Sequence, residues 1–316
     1  MSTGNSKHVS DRVCEATAWV AGRARWVRIE EGRVAAYAAA LQPPAPHPPD
    51  PETELTDGDR EARAAFVICL DAINFGSGWW PTIRKRPGRS GYFTVAAGLT
   101  ERFRTAGPWT AVELRQLDAT AIAVVLGQDP THRLMADFAT ALRDVGAHVE
   151  DEYGGSFAAV LDSAAGSAPG LADLLTGWRA FADVSIYEDR EVPFLKRAQI
   201  AAADVARAGL AELRGLDRLT GFADNLVPHV LRVDGVLRLD PAVSARIDAG
   251  ELLVHGSPEE VELRAAAVQA IELLAAARAA AGQPLIPSEI DAAPWIRGGA
   301  PRYKARPRPR SRNTAY

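Results

Sequence analysis

The chain has 316 residues, 47% of them hydrophobic and 24% charged, the proportions of an ordinary folded protein, which exclude disordered, collagen-like and coiled-coil classes. Two cysteines, Cys14 and Cys69, are too few for a disulfide framework or a cysteine-based zinc site. The net charge of −4 is uneven, because residues 297–312 hold Arg297, Arg302, Lys304, Arg306, Arg308, Arg310 and Arg312 and no acid; setting these aside leaves 29 basic against 40 acidic residues, a body at −11.

A basic run on an acidic body is the asymmetry expected of a phosphate or nucleic-acid contact, and equally of a tail that counterbalances the body. No apolar stretch approaches the ~20 residues of a membrane span, and the start MSTGNSKHVSDR has no apolar signal-peptide core, so a cytoplasmic chain is expected.

In chain order, the first expected element is an alanine-rich helix from Glu30 to Leu41. QPPAPHPPDPE follows, with six prolines in 11 residues, an extended connector that holds His47. Residues 1–55 read as an N-terminal helix and connector on a helical core of residues 56–316, one domain in all. Phe66, Cys69, Leu70 and Ile73 lie on one stripe of a helix starting near Asp57. Thr110-Ala-Val-Glu113 is a capping box that leads into Leu114, Leu117, Ala121, Val124 and Val125. Leu134, Phe138, Leu142 and Val145 form the next stripe, and Leu171, Leu174, Leu175, Trp178 and Phe181 the one after.

Phe194 to about Leu210 reads as helix with Pro193 in its first turn. VLRVDGVLRL, residues 230–239, fits either a hairpin around Asp234-Gly235 or a helix stopped by Gly235; the helical stripe already running through Leu226 and Val230 favours the helix. Ser257-Pro-Glu-Glu260 caps a helix to about Ala281 that is apolar nearly all round and therefore central. Glu272 stands on its Val261, Ala265, Val268 stripe, where a carboxylate needs a partner such as Arg264 or a basic residue of the tail, or else reaches solvent past small alanines. The expected class is all-α, with at most a short hairpin.

Four segments carry chemistry. Asp71-Ala-Ile-Asn-Phe-Gly-Ser-Gly-Trp-Trp-Pro81 runs a helix into glycines; Asp71 and Asn74 offer hydrogen bonds to the edge of a purine-like base, and Phe75 and Trp79 offer rings to stack on its face. Val192-Pro-Phe-Leu-Lys-Arg-Ala-Gln199 puts Lys196 and Arg197 at a helix start, a ready anion site. In Thr220-Gly-Phe-Ala-Asp-Asn-Leu-Val-Pro228, Asp224 is either a helix cap or a desolvated carboxylate able to activate water or face a developing positive charge. The chain ends in Arg310-Ser-Arg-Asn-Thr-Ala-Tyr316, an aromatic terminus after alternating arginines.

INFGSGWWP, VPFLKRAQI, FADNLVP, the GSPEEVELRAA helix start and the RSRNTAY end, in this order, resemble the queuosine salvage proteins, the queuosine 5′-phosphate N-glycosylase/hydrolases, over residues from about 20 to the C-terminus. The resemblance implies a helical fold akin to DNA glycosylases, a 7-deazaguanine nucleotide substrate, and no metal or other cofactor. It makes Asp224 the catalytic carboxylate with Phe222 beside it against the base, matches Lys196 and Arg197 to the family's basic pair, Asn74 and Phe75 to its asparagine–phenylalanine pair, and Tyr316 to its terminal aromatic. The chain departs from the family at Asn225-Leu226, His229, Pro309 and Ala315.

The expected activity is hydrolysis of the N-glycosidic bond of queuosine 5′-monophosphate, which releases queuine for tRNA modification, with no stable nucleic-acid partner and no membrane. The base carries carbon at position 7 and cannot be activated by protonation there, so ribosyl-cation stabilisation must do more. The alternatives are a helical nucleic-acid-binding module gripping phosphates with its basic tail, or a glycosylase acting on a base within DNA or tRNA.

Overall fold

The structure, a computed structural model, describes residues 8–43, 48–222 and 224–316; His47 lies outside them. The described residues form fifteen α-helices and two short two-stranded antiparallel sheets, as the predominantly helical expectation requires. They fall into two compact units, one of Met1–Ala45, Asp183–Gln199 and Gly215–Arg312, the other of Pro46–Ala182, Ile200–Arg214 and Asn313–Tyr316.

The first unit is organised around the helix Pro258–Ala280. Ser257 caps it, accepting from the Glu260 N–H, while the Glu260 side chain accepts from Gly256 N–H at 3.0 Å and not from Ser257. Alanines at 266, 267 and 270 let neighbours approach closely, and Val34, Leu231, Ile247, Leu263, Ile271, Leu274 and Ile290 complete the core. The helix Val9–Ala21, which the sequence reading missed, packs against this central helix together with Glu31–Ala40. The stripe from Leu226 forms the helix Leu226–Val233, and Gly235, at φ +78°, follows its end. Leu237–Leu239 is nevertheless a strand, and its partner is the distant Val27–Ile29 and not the adjacent segment. A three-residue strand carries too little periodicity to be read without its partner.

The second unit holds the helices Arg60–Ala72, Gly91–Ala106, Ala111–Arg115, Ala119–Leu126, Arg133–Tyr153, Phe157–Ser163 and Ala168–Thr176. Edge-to-face aromatic pairs tie them: Phe66 on Phe103 at 5.5 Å, Phe103 on Trp109 at 5.8 Å, and Phe75 on Phe138 at 4.9 Å between centroids. The Thr110–Glu113 capping box forms, but the run behind it breaks after Arg115, because Asp118 caps a new helix through the Ala121 N–H. The stripe ending at Phe181 breaks likewise: Ala168–Thr176 stops at Gly177, and Arg179–Phe181 is a short 3-10 turn. The far end of the proline-rich run is not extended, since Thr53 and Glu54 N–H close a turn on Asp50 C=O.

Candidate active site

Asp224 sits just ahead of the helix Leu226–Val233, and its Oδ1 accepts from the Leu226 and Val227 N–H groups at 2.7 and 3.0 Å. Asp224 therefore takes the capping role: one oxygen fixes the side chain against the helix N-terminus, whose partial positive charge favours the carboxylate. Oδ2 makes no hydrogen bond among the described residues. Asp224 is half-buried and within electrostatic reach of Lys196, Asp291 and Arg308.

Lys196 and Arg197 are buried, 6% and 2% exposed, so they are not the surface cations of an amphipathic helix. The expected helix Phe194–Leu210 starts later, at Lys196, and ends at Arg207. Pro193 instead ends a hairpin, Val184–Tyr187 paired with Arg190–Pro193. Asp183, at the root of that hairpin, organises the turn into the helix. Its carbonyl accepts from the Phe194 and Leu195 N–H groups, and its carboxylate accepts from the Lys196 N–H at 3.3 Å.

Arg264, from the central helix, grips the same carboxylate with two bonds of 2.9 and 2.6 Å, a pair 1% and 0% exposed, and lies over the Phe194 ring at 3.9 Å. Leu195 is driven to φ +53° immediately before Lys196, a costly conformation for a branched residue, held here by the Asp183 network. Burial lowers the Lys196 ammonium from its ordinary range, and the Asp224 charge pulls it back up.

Two members of this cluster escaped the sequence reading. Asp291, on the helix Pro287–Arg297 and 6% exposed, accepts from the Phe222 N–H at 2.9 Å. Burial and then the Asp224 charge push its carboxyl well above the usual range, with the Phe222 N–H and Lys196 opposing. Arg308 donates to Gly298 C=O at 3.0 Å; burial lowers it, and Asp224 acts against that. Half-buried Phe222 thus stands between Asp291, which holds its backbone, and the Asp224 segment.

The remaining predicted residues lie in the second unit. Asp71, 1% exposed, ends the helix Arg60–Ala72, and its carbonyl accepts from Asn74 N–H. Asn74 is half-buried, whereas Phe75 is 8% exposed and packs on Phe138, a core contact. Trp79 meets His132 edge to face at 5.5 Å. Gly76 adopts φ +96°, and a Cβ there would come within 2.8 Å of Leu134, so glycine is required. Its N–H donates to Tyr316 C-terminal oxygen at 3.0 Å, and Tyr316 is 4% exposed. Asn313 closes the terminus, with Oδ1 accepting from Ala315 and Tyr316 N–H.

The basic run folds onto acidic residues, though not the one expected. Arg302 and Arg297 pair with Asp234 at 3.0 and 3.5 Å, Arg306 pairs with Asp248 at 3.4 Å, and Arg310 donates to Gly250 C=O. Arg264 belongs to Asp183, so Glu272 takes neither Arg264 nor a tail arginine, and its buried Oε1 makes no hydrogen bond among the described residues. Among the described residues no group of three His, Cys, Asp or Glu side chains is placed to hold a metal ion, and no helix is long and apolar enough to cross a membrane.

Comparison with known proteins agrees with the motifs. Residues 54–298 match the family described as "Queuosine salvage protein". A Sphaerobacter thermophilus protein named queuosine 5′-phosphate N-glycosylase/hydrolase is 34% identical over 297 residues, covering 90% of this chain and 92% of the relative. Proteins of the same name from Dictyostelium discoideum and Bos taurus are 29% and 27% identical, covering 81% and 69% of this chain and 79% and 68% of the relatives. This chain belongs to the queuosine salvage protein family.

Proposed function

We propose that the chain hydrolyses the N-glycosidic bond of queuosine 5′-monophosphate, releasing queuine for reuse in tRNA modification. The observation that carries this reading is the Asp224 carboxylate, capped through one oxygen, open at the other, and within electrostatic reach of the buried Lys196 and the half-buried Arg308. As the C1′–N bond lengthens, positive charge develops on the ribose, and a fixed carboxylate in a partly dry site stabilises it or accepts the proton of the attacking water. The substrate phosphate needs cations that carry a charge out of bulk water; Lys196, Arg197 and Arg308 supply them. Phe222, beside Asp224, is assigned to binding the base; the substrate-binding roles of Asp71, Asn74, Phe75, Trp79 and Tyr316, in the second unit, rest on the family resemblance alone.

The enzyme acts on a free nucleotide, in the reducing cytoplasm that its two free thiols, Cys14 and Cys69, suit, without a stable nucleic-acid partner. The nucleic-acid-binding alternative loses its main support, because Arg297, Arg302, Arg306 and Arg310 are engaged on the protein's own acids and carbonyls. Incubating the purified protein with queuosine 5′-monophosphate and following free queuine by chromatography tests the reading; no release across pH 5–9 overturns it, and release only from intact tRNA moves the substrate to the polynucleotide.

A further inference from the structure

The side-chain amide of Gln199 joins the two segments that carry the charges of the site. Gln199 is 0% exposed and lies in the first turn of the helix Lys196–Arg207. Its Oε1 accepts from the Thr220 N–H at 2.9 Å. Its Nε2 donates to Phe194 C=O at 3.2 Å and to Thr220 Oγ1 at 3.0 Å. A backbone N–H can only donate, so the Thr220 N–H turns the amide oxygen toward its own segment and leaves the nitrogen for Phe194. Phe194 stands two residues ahead of Lys196, and Thr220 four residues ahead of Asp224.

Each end of this bridge is also held by its own neighbours. On the Lys196 side, Asp183 C=O accepts from the Phe194 and Leu195 N–H groups, and the Asp183 carboxylate takes the Lys196 N–H at 3.3 Å. On the Asp224 side, Phe222 N–H donates to Asp291 Oδ1 at 2.9 Å. Gly221 lies against the central helix, where a Cβ would come within 2.9 Å of Ile271 Cβ. Residues 219–222 belong to no helix or strand, so side-chain bonds such as these set their path. Thr220 is 1% exposed, and its N–H has no other acceptor among the described residues. An apolar side chain at position 199 would fill the space and leave that N–H unpaired.

We infer that Gln199 is a positioning residue that holds the Lys196–Arg197 pair and the Asp224 carboxylate in one frame, so that a gripped 5′-phosphate sets the ribose against the carboxylate. The inference rests on the roles proposed above for Asp224 and the basic pair. Binding energy from the phosphate, remote from the bond that breaks, then raises the chemical step and not affinity alone.

The test compares Q199M, similar in length but without hydrogen bonds, with the unaltered enzyme on queuosine 5′-monophosphate. With the bridge gone, kcat should fall at least ~10-fold while KM changes less than about threefold. In a K196A background the phosphate is no longer gripped through Lys196, and adding Q199M should lower kcat at most ~3-fold further. Q199E supplies a conservative rescue: as a neutral acid in this buried position it offers a carbonyl to Thr220 and a hydroxyl to Phe194. At about pH 5.5 its kcat should exceed that of Q199M at least ~5-fold. Should Q199M not fold, Q199N, whose amide is drawn back by one methylene and cannot span both segments, carries the same expectation. Unchanged kcat in Q199M, a rise in KM alone, an equal fold-loss in the wild-type and K196A backgrounds, or Q199E no better than Q199M, overturns the positioning role. Full turnover in D224N, with Gln199 intact, overturns the reading of the site itself, so the two failures are distinguishable.

Discussion

Asp224→Asn keeps the shape of the side chain and both capping bonds while removing the charge. Turnover of queuosine 5′-monophosphate should fall at least ~100-fold with little change in melting temperature, read by steady-state kinetics beside a thermal melt; near-full turnover would remove Asp224 from the chemistry. Lys196→Ala makes a different prediction. Its ammonium is buried beside Asp224, so the loss should weigh on the phosphate: kcat/KM for the 5′-monophosphate should drop ~10-fold or more beyond any drop for the unphosphorylated nucleoside. Equal losses on both substrates would make Lys196 a structural partner of Asp224.

Asp224 and Lys196 were legible because each stands out from its surroundings, an acid among apolar residues and a basic pair after Val-Pro-Phe. Asp291 and Arg308 were not. Asp291 lies in a helix without a strong stripe, and Arg308 is one of seven basic residues that the sequence cannot tell apart; the fold distinguishes them, Asp291 by its burial and Arg308 by its reach to Asp224.

The long helices were readable from periodicity and capping, and the breaks between them were not. Leu114 to Val125 gave one stripe, yet Asp118 caps a second helix inside it, since a local side-chain bond to the backbone outweighs the continuation of an apolar face. The hairpin Val184–Pro193 was missed for a related reason: its hydrophobes Val184 and Ile186 are exposed and its buried positions include Ser185, the reverse of the usual alternation. What fixes this element is the Asp183–Arg264 pair.

Removing one partner strands the other charge in a dry interior, so D183A or R264A should cost ~3–5 kcal/mol and lower the melting temperature by roughly 10 °C, with phosphate-dependent activity falling in step. The central helix supplies a second test. Burial raises the Glu272 carboxyl from the ordinary 4.5 to about 7. A folded-state value above the unfolded one means that the native state holds its proton longer. The stabilising contribution is therefore complete below about pH 4.5 and is lost as pH rises to about 7. Denaturant melts from pH 4.5 to 8 should show that decline, and E272Q should flatten it; an unchanged slope in E272Q would assign the decline to other groups.

At the scale of the whole molecule, the charge asymmetry of the sequence resolves into a built structure. The sequence showed a −11 body and a +7 run but could not pair them, because acids far apart along the chain were equally eligible. The structure chooses Asp234, which also accepts from the Tyr37 and Tyr303 hydroxyls at 2.9 Å, and Asp248, which also takes Arg232 at 2.8 Å. Beyond these pairs the last eight residues are stitched in by backbone: Leu253 N–H donates to Arg310 C=O at 2.8 Å, and the Asn225 side-chain amide donates to Pro309 C=O at 3.0 Å. That second bond reaches the residue next to Asp224, so the terminus and the Asp224 segment share a support.

A solvated tail could be deleted with a change below about 0.5 kcal/mol. Deleting residues 309–316 should instead expose Leu253 N–H, strip the buried Asn225 amide of its acceptor, and remove the buried Tyr316 from Gly76. The expected outcome is a melting temperature lower by roughly 5 °C or more and a larger proportional loss of turnover than of stability. Differential scanning calorimetry beside the queuine-release assay checks it, and a truncated chain that is equally stable and active would reduce the terminus to a counter-charge.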